Sequence, residues 1–202
     1  TEDPFQPLPQ KTLPVLFTNA VRARGDAIFM REKELGLWRS WSWNETGRAV
    51  REVAMGLAAL GFQPRECASI LSNTKLDWVV ADLGVLCAAG ISNGIYPTDS
   101  ATQVQFLCED SRSVVAFVEN DEQLDKLLEV RDSLPLLRRI IVFEMEGLHH
   151  FHDPMVTSLA ELRTLDLVGL LRGSIPHRAA AAVDAHAPEA IAVPSGSRIR
   201  LR

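Results

Sequence analysis

His149, His150, His152 and Asp153 are the most metal-like cluster in the chain. Ligands so close together on a loop hold one ion only if the backbone curls around it, and a zinc site ordinarily joins two ligand pairs that are distant along the chain. No second pair exists here, so the spacing favours a solvated loop. His177 and His186 stand alone, with no carboxylate or nucleophile at a recognisable spacing. Asp77 with Asp82, and Glu109 with Asp110, offer carboxylates for acid–base work. Positions five apart or adjacent on a helix diverge, which predicts solvated faces instead. Trp38, Trp41 and Trp43 invite comparison with a stacking ladder for sugars or bases. Strand parity instead puts Trp41 and Trp43 on one face, as apolar cover for a sheet. The segment after the first buried strand, SNTKLD, has no glycine, so neither a dinucleotide fingerprint nor a Walker loop is present. Only Ser195, Gly196 and Ser197 form a glycine–serine turn after an apolar strand, where backbone N–H groups can meet phosphate. The residues by themselves assign no catalytic, cofactor-binding or metal-binding position.

Composition narrows the function classes. With 202 residues and 47% apolar content, the chain can bury the core of one α/β domain. A formal charge of -5 lacks the basic footprint of a nucleic-acid binder, so no such partner is expected. Cys67, Cys87 and Cys108 are odd in number and set among apolar neighbours, which predicts reduced, buried thiols, all slow to react. The opening TEDPFQPLPQKTLP carries acids and prolines where a signal peptide needs a basic start, and no apolar run approaches the roughly 18 residues of a membrane span. The expected location is the cytoplasm, with peripheral membrane contact left open.

These residues need elements to position them. Helical spacing of Leu16, Ala20 and Val21 predicts a helix from Thr12 to Gly25, and residues 27–43 read as a hairpin with a turn at Gly36. Ser42 and Glu45 have capping-box spacing, opening a helix to about Leu60 with Val50, Val53, Ala54 and Leu57 on one face and Gly61 as its stop. Strands at 67–71, 91–97, 113–119 and 138–144 then alternate with helices at 74–90, 101–111 and 121–134. Such alternation implies βαβ units and a mostly parallel sheet with helices on both faces. EGLHHFHDP reads as a loop, SLAELRTLDLVGLL as helical, and the alanine-rich then basic ending has no place in the alternation.

Residues Trp41 to Glu119 resemble the AMP-forming acyl-CoA synthetase family of adenylate-forming enzymes. The resemblance lies in SWNETGRAVREVAMGLAALGFQPRECASILSNTKLDWVVADLGVLCAAG and ISNGIYPTDSATQVQFLCEDSRSVVAFVEN, whose order and spacing hold over most of residues 12–170. GLWRSWSW and LDKLLEVRDSLPLLRRIIVFE look most like the long-chain fatty-acid branch. The resemblance implies the N-terminal subdomain of the adenylate-forming fold, assigned to residues 1–187, followed by a divergent basic tail, 188–202. It implies that the full-length family uses ATP, Mg²⁺ and CoA to convert a fatty acid to its thioester through an acyl-adenylate. Ala190 to Val193 resemble the strand before the family's phosphate loop, but PSGSRIRLR stands where a loop ending in Pro-Lys-Gly is expected. No catalytic residue is therefore carried over, no cofactor is expected for this chain alone, and the chain is expected to be inactive by itself. Trp78, Gly90, Tyr96 and Pro97 match family positions and are assigned to helix packing and strand termination. A non-enzymatic α/β module that binds a protein partner is the alternative, and uncovered apolar surface predicts self-association.

Overall fold

Local capping chemistry sets most helix starts in the structure, a computed structural model that describes residues 12–165, 190–192 and 198–200. Thr12 caps α1 (Leu13–Arg24) by accepting from the Val15 N–H, and Gly25 follows it at φ 53°. β1 (Ile28–Glu34) and β2 (Leu37–Ser42) pair as an antiparallel hairpin. Ser42 and Glu45 satisfy each other's backbone N–H groups at the start of α2 (Trp43–Ala59). The same capping box corrects one expectation: Trp43 is the first helical residue, so it does not share a strand face with Trp41.

β3 (Cys67–Leu71), α3 (Leu76–Cys87), β4 (Ile91–Ile95), α4 (Ala101–Asp110), β5 (Ser113–Val118), α5 (Asp121–Val130) and β6 (Arg139–Val142) follow in the expected alternation. A second capping box, Ser100 with Gln103, opens α4, and Asn120 caps α5 ahead of Asp121 and Glu122. α5 ends earlier than its periodicity predicts, passing into a 3-10 turn at Arg131–Ser133. Pro135 sets the end of that turn, because the residue before a proline is pushed out of the helical region, and Leu134 stands at φ -114° and ψ 70°. β7 (Val156–Ser158) was not foreseen, being too short to show a period of two. α6 (Leu159–Thr164) starts on a third capping box, Ser158 with Glu161.

The five strands β4-β3-β5-β6-β7 form one sheet in that order, every neighbouring pair parallel. Side chains alternate between two cores. Ala68, Ile70, Val115, Phe117 and Ile141 join a cluster with residues of α1, α2, α3 and α6, and Met30 and Trp41 of the hairpin pack against it. Leu71, Ala116, Val118, Ile140 and Val142 join a second cluster with α4 and α5. Helices therefore cover both faces, as the unbroken apolar strands require. Close approach is built into the first layer: a Cβ at Gly84 would sit 2.4 Å from Val53 Cγ1, and one at Gly56 would sit 2.3 Å from the Leu162 carbonyl oxygen.

Cys67 and Cys108 are buried, but Cys87 is exposed, against expectation. Its angle around α3 continues the buried stripe of Leu76, Val80, Ala81, Gly84 and Val85, but it is the last helical residue, and Ala89 just beyond is exposed too. Neither apolar neighbours nor helical periodicity buries a side chain at a helix end that the neighbouring elements do not cover. Partial burial still raises the Cys87 thiol pKa, as burial does for Cys108.

The chain divides into two compact units, Thr1–Leu165 and Asp166–Arg202. In the second, β8 (Ala190–Ala192) pairs antiparallel with β9 (Arg198–Arg200). His177, His186, Ser195, Gly196, Ser197 and the expected boundary at 187/188 lie outside the described residues.

Candidate functional site

The winding of the sheet selects one place for ligands. The crossover from β3 to β4 runs through α3 in the first core layer, and the crossover from β4 back past β3 to β5 runs through α4 in the second. Where the winding reverses, the loops leaving β3 and β5 part in opposite directions and open a crevice at the carboxyl ends of the strands. Ser72 and Asn73 leave β3 there, Lys75 precedes α3, Glu119 leaves β5, and Glu144 lies just past β6.

These side chains are tied to one another. Glu119 Oε2 accepts from the Asn73 N–H at 2.7 Å, from Asn73 Nδ2 at 2.9 Å and from Ser72 Oγ at 3.2 Å. Lys75 Nζ lies 3.6 Å from Glu119 Oε1 and donates to Glu144. The Glu144 N–H donates to the Glu119 carbonyl at 2.9 Å, which carries the strand pairing one residue further. Burial acts to raise the Glu119 pKa, but the two Asn73 donors, Lys75 and Ser72 outweigh it and hold the carboxyl below its ordinary range. Burial acts to lower the Lys75 pKa, and Glu144, Glu119 and Asp77 outweigh it, so the ammonium titrates higher than usual. Asp77, in the first turn of α3, goes the other way. Burial lifts its pKa, with Glu32 and Glu144 adding to the rise and Lys75 and Arg163 opposing it.

Chemically this cluster is an anchor. Lys75 is shared by two carboxylates, so the local charge is negative, and Glu119 Oε2 already accepts three hydrogen bonds. A triphosphate needs free cations and N–H donors, and Mg²⁺ bound between Glu119 and Glu144 would have to displace Lys75. Among the described residues no three His, Cys, Asp or Glu groups are placed to share an ion. The residues at this edge therefore do not fit ATP with its metal.

The histidine loop separates its four candidates. His149, His150 and His152 are exposed, and His152 Nδ1 lies 3.0 Å from the His150 carbonyl. Asp153 accepts from the Met155 N–H at 2.8 Å and pairs with Arg131, and both interactions hold its carboxyl below the usual range. The loop borders an open cleft of about 590 Å³ with Leu148, Phe151, Val156 and Glu161 on its walls. Glu161 is engaged in the α6 capping box.

The remaining candidates scatter. Glu109 and Asp110 are exposed, and Asp82 is half-buried on α3. Trp41 and Trp43 pack against the first core, whereas Trp38 is exposed. Trp78 packs on that core too, and a Cβ at Gly90 would sit 2.5 Å from the Phe62 ring. Tyr96 and Pro97 follow the end of β4, with the Tyr96 ring exposed and the Pro97 carbonyl accepting from Lys126 Nζ at 2.6 Å. Sequence reasoning missed Asn73, Lys75, Glu119 and Glu144. One signal could have found them: each follows an apolar strand at its carboxyl end, in SILSNTK, AFVEN and IVFE.

Residues 17–190 match the AMP-binding enzyme family. The chain belongs to it. It is 32% identical over 139 residues to the long-chain-fatty-acid–CoA ligase ACSBG2 of Xenopus laevis, covering 69% of itself and 19% of that relative. It is 26% identical over 181 residues to the ligase ACSBG1 of Homo sapiens, covering 90% of itself and 24% of the relative. It thus spans about a fifth to a quarter of the length of these ligases. Acetoacetyl-CoA synthetase from Streptomyces lividans shares the fold with a TM-score of 0.67 at 23% identity, over 76% of this chain and 25% of the synthetase. The anthranilate CoA ligase AuaEII, solved with anthranoyl-AMP, matches with a TM-score of 0.64 at 19% identity, over 74% of this chain and 26% of that ligase. The α/β fold described above is therefore that of the N-terminal part of adenylate-forming enzymes, and the chain is homologous to long-chain fatty-acid–CoA ligases.

Proposed function

We propose that these residues are part of a long-chain fatty-acid–CoA ligase and that residues 12–165 serve it as scaffold, without supplying a catalytic group. The homology to ACSBG2 carries the first half. In the proposed reaction the fatty acid attacks the α-phosphate of ATP, releasing pyrophosphate, and the CoA thiol then displaces AMP from the acyl-adenylate. Mg²⁺ would offset the phosphate charge during the first step. The second half rests on the carboxyl edge of the sheet, where Lys75 is already held by Glu119 and Glu144. Its task is to fix the start of α3 against the ends of β3, β5 and β6. The same reading includes a cytoplasmic location with peripheral membrane contact, and self-association through exposed Ile91, Tyr96 and Phe106.

AMP release with ATP, Mg²⁺, palmitate and CoA tests both halves. The 202-residue chain is expected to release none above background, and the complete gene product to release AMP with palmitate in preference to acetate. AMP release by this chain alone would overturn the scaffold role, and a preference for acetate would overturn the long-chain assignment.

A further inference from the structure

The β1–β2 hairpin ends in an apolar tip that the fold does not use. Leu35 is 99% exposed, Leu37 76% and Trp38 67%. Leu35 has φ 47° and Gly36 φ 84°, so both residues of the turn sit in the left-handed region. A two-residue hairpin turn with both central φ values positive favours asparagine, aspartate or glycine at its first position. A leucine there combines an unfavourable backbone with complete exposure, and nothing approaches the neighbouring Gly36 within 4 Å of a built Cβ.

Charge is arranged around this tip by strand register. Lys33 pairs with Trp38 and Arg31 with Ser40, so these four share one face, and all are exposed. Met30 pairs with Trp41, which pack on the core, and Glu32 with Arg39, which share that inner face. Glu32 Oε1 accepts from the Leu76 N–H at 3.4 Å, and the Arg39 guanidinium stacks 4.3 Å over Trp41. The outward face thus presents two cations beside a tryptophan in a chain whose net charge is -5.

We propose that this tip docks on an anionic lipid bilayer, with Leu35 and Leu37 entering the headgroup–acyl boundary, Trp38 lying at the interface, and Arg31 and Lys33 meeting lipid phosphates and carboxylates. Tryptophan and basic side chains around a small apolar wedge are what that boundary accommodates. A protein partner fits less well. Leu35 on the turn, with Leu37 and Trp38 at the start of β2, offers a few hundred Å² at most, below the roughly 1,000 Å² of a specific protein interface, whereas shallow, reversible insertion needs no larger area. The inference rests on the membrane contact proposed above and is independent of ligase chemistry, because AMP release is measured without vesicles.

Co-sedimentation of the full chain with phosphatidylcholine vesicles, with and without phosphatidylserine, tests it. Binding is expected to require phosphatidylserine and to weaken with salt. The combined variant Leu35→Asn, Leu37→Ser, Trp38→Ser is expected to lose about tenfold or more in partitioning, and Arg31→Glu with Lys33→Glu to bring binding down to the phosphatidylcholine level. Brominated lipids should quench part of the wild-type tryptophan emission, and that part should be missing from Trp38→Phe, a change too small to disturb folding. Absence of vesicle binding, equal binding by the combined variant, or identical quenching in Trp38→Phe would overturn the proposal. So would self-association in solution that the combined variant abolishes while vesicles bind neither protein, an outcome that would assign the tip to a second copy of the chain.

Discussion

At the carboxyl ends of β3 and β5, Glu119 takes hydrogen bonds from Ser72 and Asn73 while Lys75 lies between it and Glu144. At the tip of the β1–β2 hairpin, Leu35, Leu37 and Trp38 stand in solvent. The edge where an open α/β sheet ordinarily receives its ligand has spent its polar groups on itself, and a segment that the core does not need carries free apolar surface. Position in a fold and availability for binding are therefore separate properties. The first follows from strand order, and the second from whether neighbouring groups have already satisfied a side chain.

The comparison holds only if the edge is rigidly supported, and Gly84→Val probes that support most severely. Val53 is fully buried and would meet the new Cβ at 2.4 Å, so α3 must lift from α2 and carry Lys75 with it. A loss of about 3 kcal/mol is expected from urea unfolding. A loss below about 0.5 kcal/mol would show that the helix pair yields easily.

Glu119→Gln tests the edge itself, with an expected loss of about 1–2 kcal/mol at pH 7. The folded-state pKa of Glu119 is depressed, so its contribution is present above the unfolded carboxylate value, about 4.3, and is lost as pH falls through the folded value. The stability gap between wild type and variant should therefore close in acid. A gap unchanged down to pH 3 would remove charge as its source.

Asp77→Asn should move stability the other way and by less. Burial raises the Asp77 pKa, so its charged form weakens folding above the unfolded value, about 3.9, and the full penalty is reached above the folded value. The variant should unfold at slightly higher urea than wild type at pH 7 and show no gain below pH 3. A lower midpoint at pH 7 would mean that pairing with Lys75 and Arg163 outweighs burial.

The smallest effect belongs to the hairpin. Leu35→Asn is expected to leave stability within about 0.5 kcal/mol or to raise it, since asparagine tolerates the left-handed turn better than leucine. A loss above 1 kcal/mol by thermal unfolding would show that the tip packs on the protein, and the contrast with the carboxyl edge would disappear.

Elements were more legible than sites. The Ser42–Glu45 box, the Gly25 and Gly61 stops, and the apolar strands of β3, β5 and β6 are all written in neighbouring residues and recur in the structure. β7 was missed because three residues cannot display a period, and Cys87 was misplaced because it is the last residue of α3, where periodicity does not say how far the covering elements reach. The candidate site was hardly legible. Asn73 and Glu119 are 46 positions apart, and neither carries a motif.

The sequence by itself determined where helices begin and end, which strands are apolar on both sides, and membership of the AMP-binding family through the order of those pieces. Each depends on contacts within about four residues or on a linear pattern, which a chain carries before it folds. Only the tertiary structure decided that β3 lies between β4 and β5, that Lys75 meets Glu119 and Glu144, and that Leu35 meets nothing. The face on which each crossover helix buries its stripe sets the strand order, and the strand order brings distant loops to one edge. Those choices come from packing the whole layer at once, and no local window of residues contains them.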